Sequence, residues 1–132
     1  MTPKAKKYDP KYAKELIKIA KGDLGSAKDL QSGKQGRPEN VLYLTQQSIE
    51  KCLKAVLCIL EKPVLHTHDL EALINLLPKN TLPQDWNELL SLTEYATVRR
   101  YEEGYEILTD EDLRNAIQLG ERIIKWAEKL IK

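Results

Sequence analysis

Residues 38–60 read PENVLYLTQQSIEKCLKAVLCIL, and this stretch decides the fold class of the chain. Apolar side chains recur in it at intervals of three and four residues, so one broad face of a helix stays apolar. Pro38 suits the first position of a helix, and Lys62-Pro63 ends the pattern. The pattern therefore predicts one long helix from about Pro38 to Leu60. Its apolar face consists of Leu42, Thr45, Ile49, Cys52, Leu53, Val56, Leu57 and Leu60.

The preceding segment carries a second helical pattern. Asp9-Pro10 supplies a capping side chain and then a proline at the first helical position, while residues 32–36 break the pattern. Gly22 and Gly25 weaken this helix, so we expect a close helix contact or a bend there. The expected apolar stripe is Tyr12, Leu16, Ile19, Ala20, Leu24, Ala27 and Leu30.

Three further helices are predicted after Pro63. A short helix runs from His68 to Leu77 with Thr67 as its cap, and a fourth helix begins near Pro83. Residues 109–112 read TDED, a capping box with acidic residues in the first turn. This box opens a last helix that runs to the end of the sequence.

These patterns predict an all-α protein, an antiparallel up-and-down bundle of four main helices and one short helix. No alternating strand pattern, repeat or low-complexity linker interrupts the 132 residues. That length suits one hydrophobic core. We therefore expect residues 1–132 to form one domain.

The charge balance narrows the possible partners. The chain has 21 basic and 20 acidic residues, a formal net charge of +1, so its overall field does not attract polyanions. Any contact with nucleic acid must then be local. A basic group near the start of the sequence is interpreted as a solvated helix face without a function. It consists of Lys4, Lys6, Lys7, Lys11 and Lys14.

The sequence carries no sign of export or membrane insertion. It has no apolar run of about 18 residues and no secretory signal pattern. Cys52 and Cys58 fall on different faces of the predicted helix, so we expect no bridge between them. We expect a cytoplasmic protein without membrane contact.

Polar side chains crowd the predicted helix 38–60. Gln47, Glu50, Lys51 and Lys54 occupy neighbouring turns, and Glu50 and Lys54 are spaced for an ion pair one turn apart. Two interpretations stay open. The group is either a solvated face or the lining of a polar groove that binds a nucleotide-like ligand.

Residues 99–101, Arg99-Arg100-Tyr101, form the segment with the strongest indication of ligand binding. Guanidinium groups suit phosphates, and the nearby rings of Tyr95 and Tyr105 can stack on bases. The alternative is that the two arginines form surface ion pairs with neighbouring glutamates. Each such pair contributes at most about 1 kcal/mol to stability.

His66, His68 and Asp69 form a compact polar group between two predicted helices. Imidazole and carboxylate groups can hold a metal or relay a proton. Such residues also cap helices and bond to nearby backbone, which is the alternative that we favour. Common enzyme and metal-site signatures are absent from the sequence, so we expect no metal and no cofactor.

The order and spacing of four segments resemble the HEPN domain family, over roughly residues 10 to 131. The segments are residues 46–55 (QQSIEKCLKA), residues 68–70 (HDL), Arg100-Tyr101 and residues 109–116 (TDEDLRNA). The resemblance implies a bundle like the helical substrate-binding domain of kanamycin nucleotidyltransferase. It also implies a homodimer, often encoded beside a minimal nucleotidyltransferase as a toxin–antitoxin pair. Apolar and aromatic residues on more than one helix face agree with a dimer: Trp86, Tyr95 and Trp126.

Many members of the family that this sequence resembles are metal-independent endoribonucleases. In them an arginine stabilises phosphate charge, and a histidine that follows after four to six intervening residues acts as acid or base. This histidine would fall at positions 104–106 if counted from Arg99 and at positions 105–107 if counted from Arg100. None of these positions holds a histidine. Tyr105 is a poor proton carrier at neutral pH. The enzyme motif is therefore incomplete.

The resemblance, together with the incomplete enzyme motif, implies a non-catalytic module that binds a nucleotide or RNA and partners a nucleotidyltransferase, with Arg99, Arg100 and Tyr101 near a phosphate. Two alternatives stay open. One is a divergent ribonuclease that uses Arg100, with His68 or Tyr105 as substitute acid or base. The other is a structural bundle whose helix faces hold a partner protein.

Overall fold

The computed structural model describes residues 4–33, 35–97 and 108–131, with backbone alone for residues 93–97. The long elements are helices, as the sequence predicts. In chain order the elements are β1 Ala5–Lys6, α1 Tyr12–Gly33, α2 Pro38–Ile59, β2 Val64–Leu65, α3 Leu70–Ile74, a 3-10 turn Lys79–Thr81, α4 Trp86–Thr97 and α5 Asp110–Ile131.

Helix α2 is the centre of the bundle. Helices α1 and α5 pack along it on one side, and α3 and α4 pack against other parts of its surface. Ile49, Leu53 and Leu57 are fully buried in the resulting core. The predicted all-α bundle is confirmed, because the apolar face of α2 is long enough to serve several neighbours at once.

Helix α1 begins after a turn in which the Asp9 carboxylate accepts a hydrogen bond from the Lys11 backbone N–H, at 2.9 Å. The predicted stripe is confirmed at Leu16, Ala20, Leu24 and Ala27, and it differs at its edges. Ala13 and Ile17 are buried, whereas Tyr12 and Ile19 are 38% and 37% exposed. The prediction is wrong for Tyr12 and Ile19, because the packing of α1 against α2 and α5 turns the neighbouring residues inward.

Of the close helix contact or bend expected at Gly22 and Gly25, the contact is wrong, because a Cβ added at either position would meet no atom of the described residues within 4 Å. The close approach is at Gly120 of α5. A Cβ there would lie 2.9 Å from Leu24 Cδ1 and 3.4 Å from Thr45 Cγ2. Gly120 therefore lets α5 come close to both α1 and α2.

The connection between α2 and α3 departs from the prediction. Helix α3 spans Leu70–Ile74 rather than His68 to Leu77, and Asp69 is its cap, accepting from the Glu71 N–H at 3.0 Å. Thr67 Oγ1 instead accepts from the Asp69 N–H at 3.1 Å.

A short antiparallel pairing of β1 with β2 joins the segment before α1 to this connection. Two-residue strands are too short to show an alternating pattern, so the sequence did not predict them.

The start of α5 confirms the predicted capping box. The Thr109 N–H donates to the Asp112 carboxylate at 2.9 Å, and the Asp112 N–H donates to Thr109 Oγ1 at 3.1 Å. Cys52 and Cys58 are both free and buried, as expected. Within the described ranges, none of the helices combines the length and apolar character needed to cross a bilayer.

Candidate functional site

A buried carboxylate organises the polar surface of α2. The Glu50 side chain is only 1% exposed, yet its oxygens contact three basic side chains. Glu50 Oε1 lies 2.8 Å from His68 Nδ1, and Oε2 accepts from Lys54 Nζ at 3.0 Å. Lys51 Nζ is further away, at 3.5 Å from Oε2. We call Glu50, Lys51, Lys54 and His68 the Glu50 cluster.

Helical spacing aligns α2 with the connection that carries His68. Gln46, Glu50 and Lys54 follow one another at intervals of four residues, so their side chains share one face of α2. Gln46 Nε2 donates to the His68 backbone carbonyl at 2.8 Å. Since Gln46 holds the backbone and Glu50 holds the ring, His68 is fixed at two points.

The basic groups of the cluster lie closer to solvent than the carboxylate beneath them. The His68 side chain is 71% exposed, Lys51 is 23% exposed and Lys54 is 15% exposed. An ammonium group has three donors, and the Lys54 contact with Glu50 uses one of them. The cluster therefore presents several N–H donors to solvent at fixed positions, an arrangement that suits an anionic ligand.

Asp23 of α1 extends the charged group across the helix interface. Partial burial raises the pKa of its carboxyl above the usual value, and the negative charge of Glu50 raises this pKa further. The Lys51 ammonium opposes the shift. Sequence analysis missed Asp23 because no local motif connects α1 with residues 50 and 51.

The structure brings together four of the predicted ligand-binding residues, namely Gln47, Glu50, Lys51 and Lys54. The predicted Glu50–Lys54 ion pair is confirmed, and Gln47 Oε1 accepts from Lys51 Nζ at 3.4 Å. Glu50 itself is buried, so for this residue the solvated-face interpretation is wrong.

The polar group of His66, His68 and Asp69 divides into three separate contacts. His66 Nε2 lies 2.9 Å from the Tyr8 hydroxyl, Asp69 caps α3, and His68 contacts Glu50. The alternative in which these residues cap a helix and bond to nearby backbone is confirmed for Asp69 but not for His66, whose ring contacts a side chain 58 residues away in the sequence. For His68 it is incomplete, because its partner is a buried carboxylate on another helix.

The predicted residues Arg99, Arg100, Tyr101 and Tyr105 lie outside the described residues, as does the side chain of Tyr95. Their roles stay predictions. Within the described ranges no group of three or more His, Cys, Asp or Glu side chains is placed to hold a metal ion.

Comparison with known proteins agrees with this architecture. The sequence model described as "HEPN domain" matches residues 13–130. The crystal structure of ST0689, an archaeal HEPN homologue, is 31% identical with a TM-score of 0.67. The alignment covers 91% of this chain and 98% of ST0689.

A second solved structure shares the fold. TT1696 from Thermus thermophilus is 20% identical and aligns with a TM-score of 0.76 over 90% of this chain and 98% of TT1696. A search of curated proteins gives no match.

Proposed function

The chain belongs to the HEPN domain family, and from this membership we propose that it is a binding module for a nucleotide or RNA whose phosphate docks on the Glu50 cluster. Gln47, Glu50, Lys51 and Lys54 belong to this site, together with His68. Arg99, Arg100 and Tyr101 add phosphate-binding and stacking groups from outside the described residues.

The buried Glu50 carboxylate is the observation that supports this proposal. A carboxylate removed from water needs charged partners, and here three basic side chains converge on it. Because Glu50 fixes these groups in advance, binding a phosphate oxygen costs little entropy for ordering them. Glu50 is therefore a positioning residue, and Lys51, Lys54 and His68 are the proposed ligand contacts.

Binding without cleavage follows from the incomplete enzyme motif. Arg99 and Arg100 keep the phosphate-binding cation of the family's nucleases, but no histidine follows either of them at the required distance. An arginine can stabilise phosphate charge by itself, whereas cleavage also needs proton transfer.

We also propose a cytoplasmic homodimer that partners a minimal nucleotidyltransferase in a toxin–antitoxin pair. The support is family resemblance together with Trp86 of α4, whose side chain is partly exposed. Trp126 adds less than the sequence suggested, because it packs against the core and its Nε1–H donates to the Thr81 carbonyl at 2.8 Å. Light scattering at tens of micromolar tests the dimer, and a monomer mass would contradict it.

Fluorescence anisotropy with a short 5′-fluorescein-labelled uridine oligomer tests binding. Lys54→Gln should weaken binding by about tenfold, the scale of one lost charge-assisted contact. Lys28→Gln is the matched control, because Lys28 is an exposed lysine of α1 paired with Glu121. Equal affinity for all three proteins would overturn the proposed site. Loss of stability without loss of binding would favour the structural alternative.

The Glu50–His68 contact favours a second candidate, the divergent metal-independent endoribonuclease. With Nδ1–H donating to the buried carboxylate, Nε2 of the exposed imidazole is left as a proton acceptor. It could take the proton of a ribose 2′-OH as that oxygen attacks the adjacent phosphorus. The bond from phosphorus to the 5′-oxygen then breaks and the 5′-oxygen takes a proton from solvent water, giving a 2′,3′-cyclic phosphate and a 5′-hydroxyl end.

Cleavage of single-stranded RNA in the presence of EDTA tests this candidate. The ribonuclease candidate requires that the wild type cleaves the RNA and that His68→Ala does not. Glu50→Gln should also lose cleavage while it stays folded. RNA that stays intact while bound supports the non-catalytic module.

A further inference from the structure

The segment before α1 lies outside the region that the family model matches, which starts at residue 13. Residues 4–9, here called the strap, reach the connection that leads to His68. Strand β1 pairs with β2, Ala5 opposite Leu65 and Lys6 opposite Val64, and the His66 N–H donates to the Lys4 carbonyl at 2.8 Å. The strap thus lies outside the matched family region and contacts the connection that carries His66 and His68.

Two tyrosine rings and a lysine form a small surface on the strap. The rings of Tyr8 and Tyr12 stack with centroids 5.2 Å apart and planes at 29°. Lys6 Nζ lies 5.0 Å from the centroid of the Tyr8 ring. The Tyr8 hydroxyl lies 2.9 Å from His66 Nε2, which fixes the ring to the β2–α3 connection. We call Lys6, Tyr8, Tyr12 and His66 the strap surface.

Most of the strap surface is exposed and lies in a basic segment, while the Tyr8 ring is half-buried against the core. Tyr12 is 38% exposed although α1 has apolar neighbours to cover it, and Lys6 and His66 are exposed as well. Asp9 is the only acidic residue among residues 4–12, and its carboxylate accepts from the Lys11 backbone N–H. The basic residues of the segment are Lys4, Lys6, Lys7 and Lys11, all exposed.

An exposed aromatic ring that is backed by a second ring in a basic segment has the components of a site for single-stranded nucleic acid. Bases of any identity stack on aromatic rings, and neighbouring cations bind the sugar-phosphate backbone. Such a site needs no overall positive charge, because salt screens charges more than about 10 Å away. The net charge of the whole chain therefore does not argue against it.

We propose that the strap surface is a second RNA contact, in which an unpaired base stacks on the Tyr8–Tyr12 pair and a backbone phosphate binds Lys6. The proposal rests on the proposed function, and it names single-stranded RNA as the ligand class. Only Thr67 separates His66 of the strap surface from His68 of the Glu50 cluster in the sequence. One RNA strand would span both sites, with a base at the strap and a phosphate at the cluster.

The test compares Tyr12→Ala with Ile19→Ala in anisotropy titrations with the labelled uridine oligomer. Both residues are exposed to the same degree on α1, so both variants lose similar apolar surface. Tyr12→Ala should weaken binding by about tenfold, the effect of losing one stacked base, while Ile19→Ala leaves it unchanged. Tyr12→Phe should keep wild-type affinity, because stacking needs the ring and not the hydroxyl.

A second probe separates stacking from charge. An abasic ribose-phosphate oligomer of the same length should bind wild type and Tyr12→Ala equally, since it has no base to stack. Lys6→Gln should weaken the binding of both probes, and Lys18→Gln, at an exposed position further along α1, should weaken neither.

The outcomes distinguish this inference from the proposed function. RNA binding that depends on Lys54 but not on Tyr12 or Lys6 would overturn the strap contact and leave the proposed function intact. Equal weakening by Tyr12→Ala and Ile19→Ala would also overturn it. Absence of RNA binding by the wild-type protein would overturn both.

Discussion

Two faces of α2 depend on different kinds of interaction. One face places Ile49, Leu53 and Val56 in the apolar core. The other carries Glu50 and Lys54, which meet the connection before α3. Apolar packing is non-directional and tolerates many side chains of similar volume, whereas a buried carboxylate requires particular partners at particular distances. The fold therefore depends on the first face, and the proposed function depends on the second.

The largest expected effect separates stability from binding. Leu53→Ala removes a fully buried side chain from the core and should cost about 2–5 kcal/mol of unfolding free energy. Urea denaturation measures this loss, and Ile19→Ala on the exposed side of α1 is the control, expected to cost less than about 1 kcal/mol. The folded fraction of Leu53→Ala should bind RNA normally. Weakened binding by that fraction would break the division between the faces.

Glu50→Gln should affect both stability and binding. The amide keeps the shape of the side chain but loses the charge that three basic groups share, so we expect a loss of about 1–3 kcal/mol together with loss of RNA binding. Glu121→Gln is the control, because Glu121 pairs with Lys28 at an exposed site on the helix surface. Wild-type stability and affinity in Glu50→Gln would remove the basis for a functional face.

Alkaline pH should lower the free energy of unfolding, because the buried Cys52 thiol ionises less readily in the folded state than in the unfolded state. Burial raises the pKa of the Cys52 thiol from 9.0 to about 12, so the folded state keeps a proton that the unfolded state loses. The stability that this thiol contributes is complete below about pH 9 and declines as pH rises towards 12. At about pH 10 the loss should be near 1 kcal/mol.

Denaturation curves of wild type and Cys52→Ala across this range measure the Cys52 contribution, because the other titrating groups are common to both proteins. Parallel pH dependence of the two proteins would contradict the assignment.

Asp23→Asn should have the smallest effect on stability, and unlike the changes above it should stabilise the protein at pH 7. The raised pKa of the Asp23 carboxyl means that its charged form is less favourable in the folded state than in the unfolded state. Its contribution to stability is present below the ordinary value of 3.8 and is lost as pH rises through the folded pKa. Asp23→Asn should thus raise the Tm slightly at pH 7 and lose this advantage in acid. Asp29→Asn, at an exposed position of α1, is the control, and a lower Tm for Asp23→Asn at pH 7 would contradict the account.

The sequence predicted the helices and the core better than the polar contacts of α2, for a physical reason. Helical periodicity is a local signal, and it located α2, α5 and the Thr109–Asp112 capping box. It misassigned only the edges of the α1 stripe, where Ala13 and Ile17 are buried and Tyr12 and Ile19 are partly exposed.

Contacts between distant segments leave no comparable local signal. Gln46 and Glu50 meet His68 across about twenty residues of sequence, and Tyr8 meets His66 across nearly sixty. The sequence named Glu50 and His68 as candidates, but it placed them in separate groups. It assigned no role to the strap, since a two-residue strand pairing depends on tertiary contact rather than on local pattern.

The central claim is that the polar face of α2 binds the ligand while the core face holds the fold. Histidine side-chain NMR during titration with the unlabelled uridine oligomer tests it most directly. We predict that the His68 imidazole signals shift saturably in the wild type, that Lys54→Gln reduces the shift, and that the methyl signals of Leu53 stay in place. Saturable binding that leaves the His68 signals unchanged would contradict the claim.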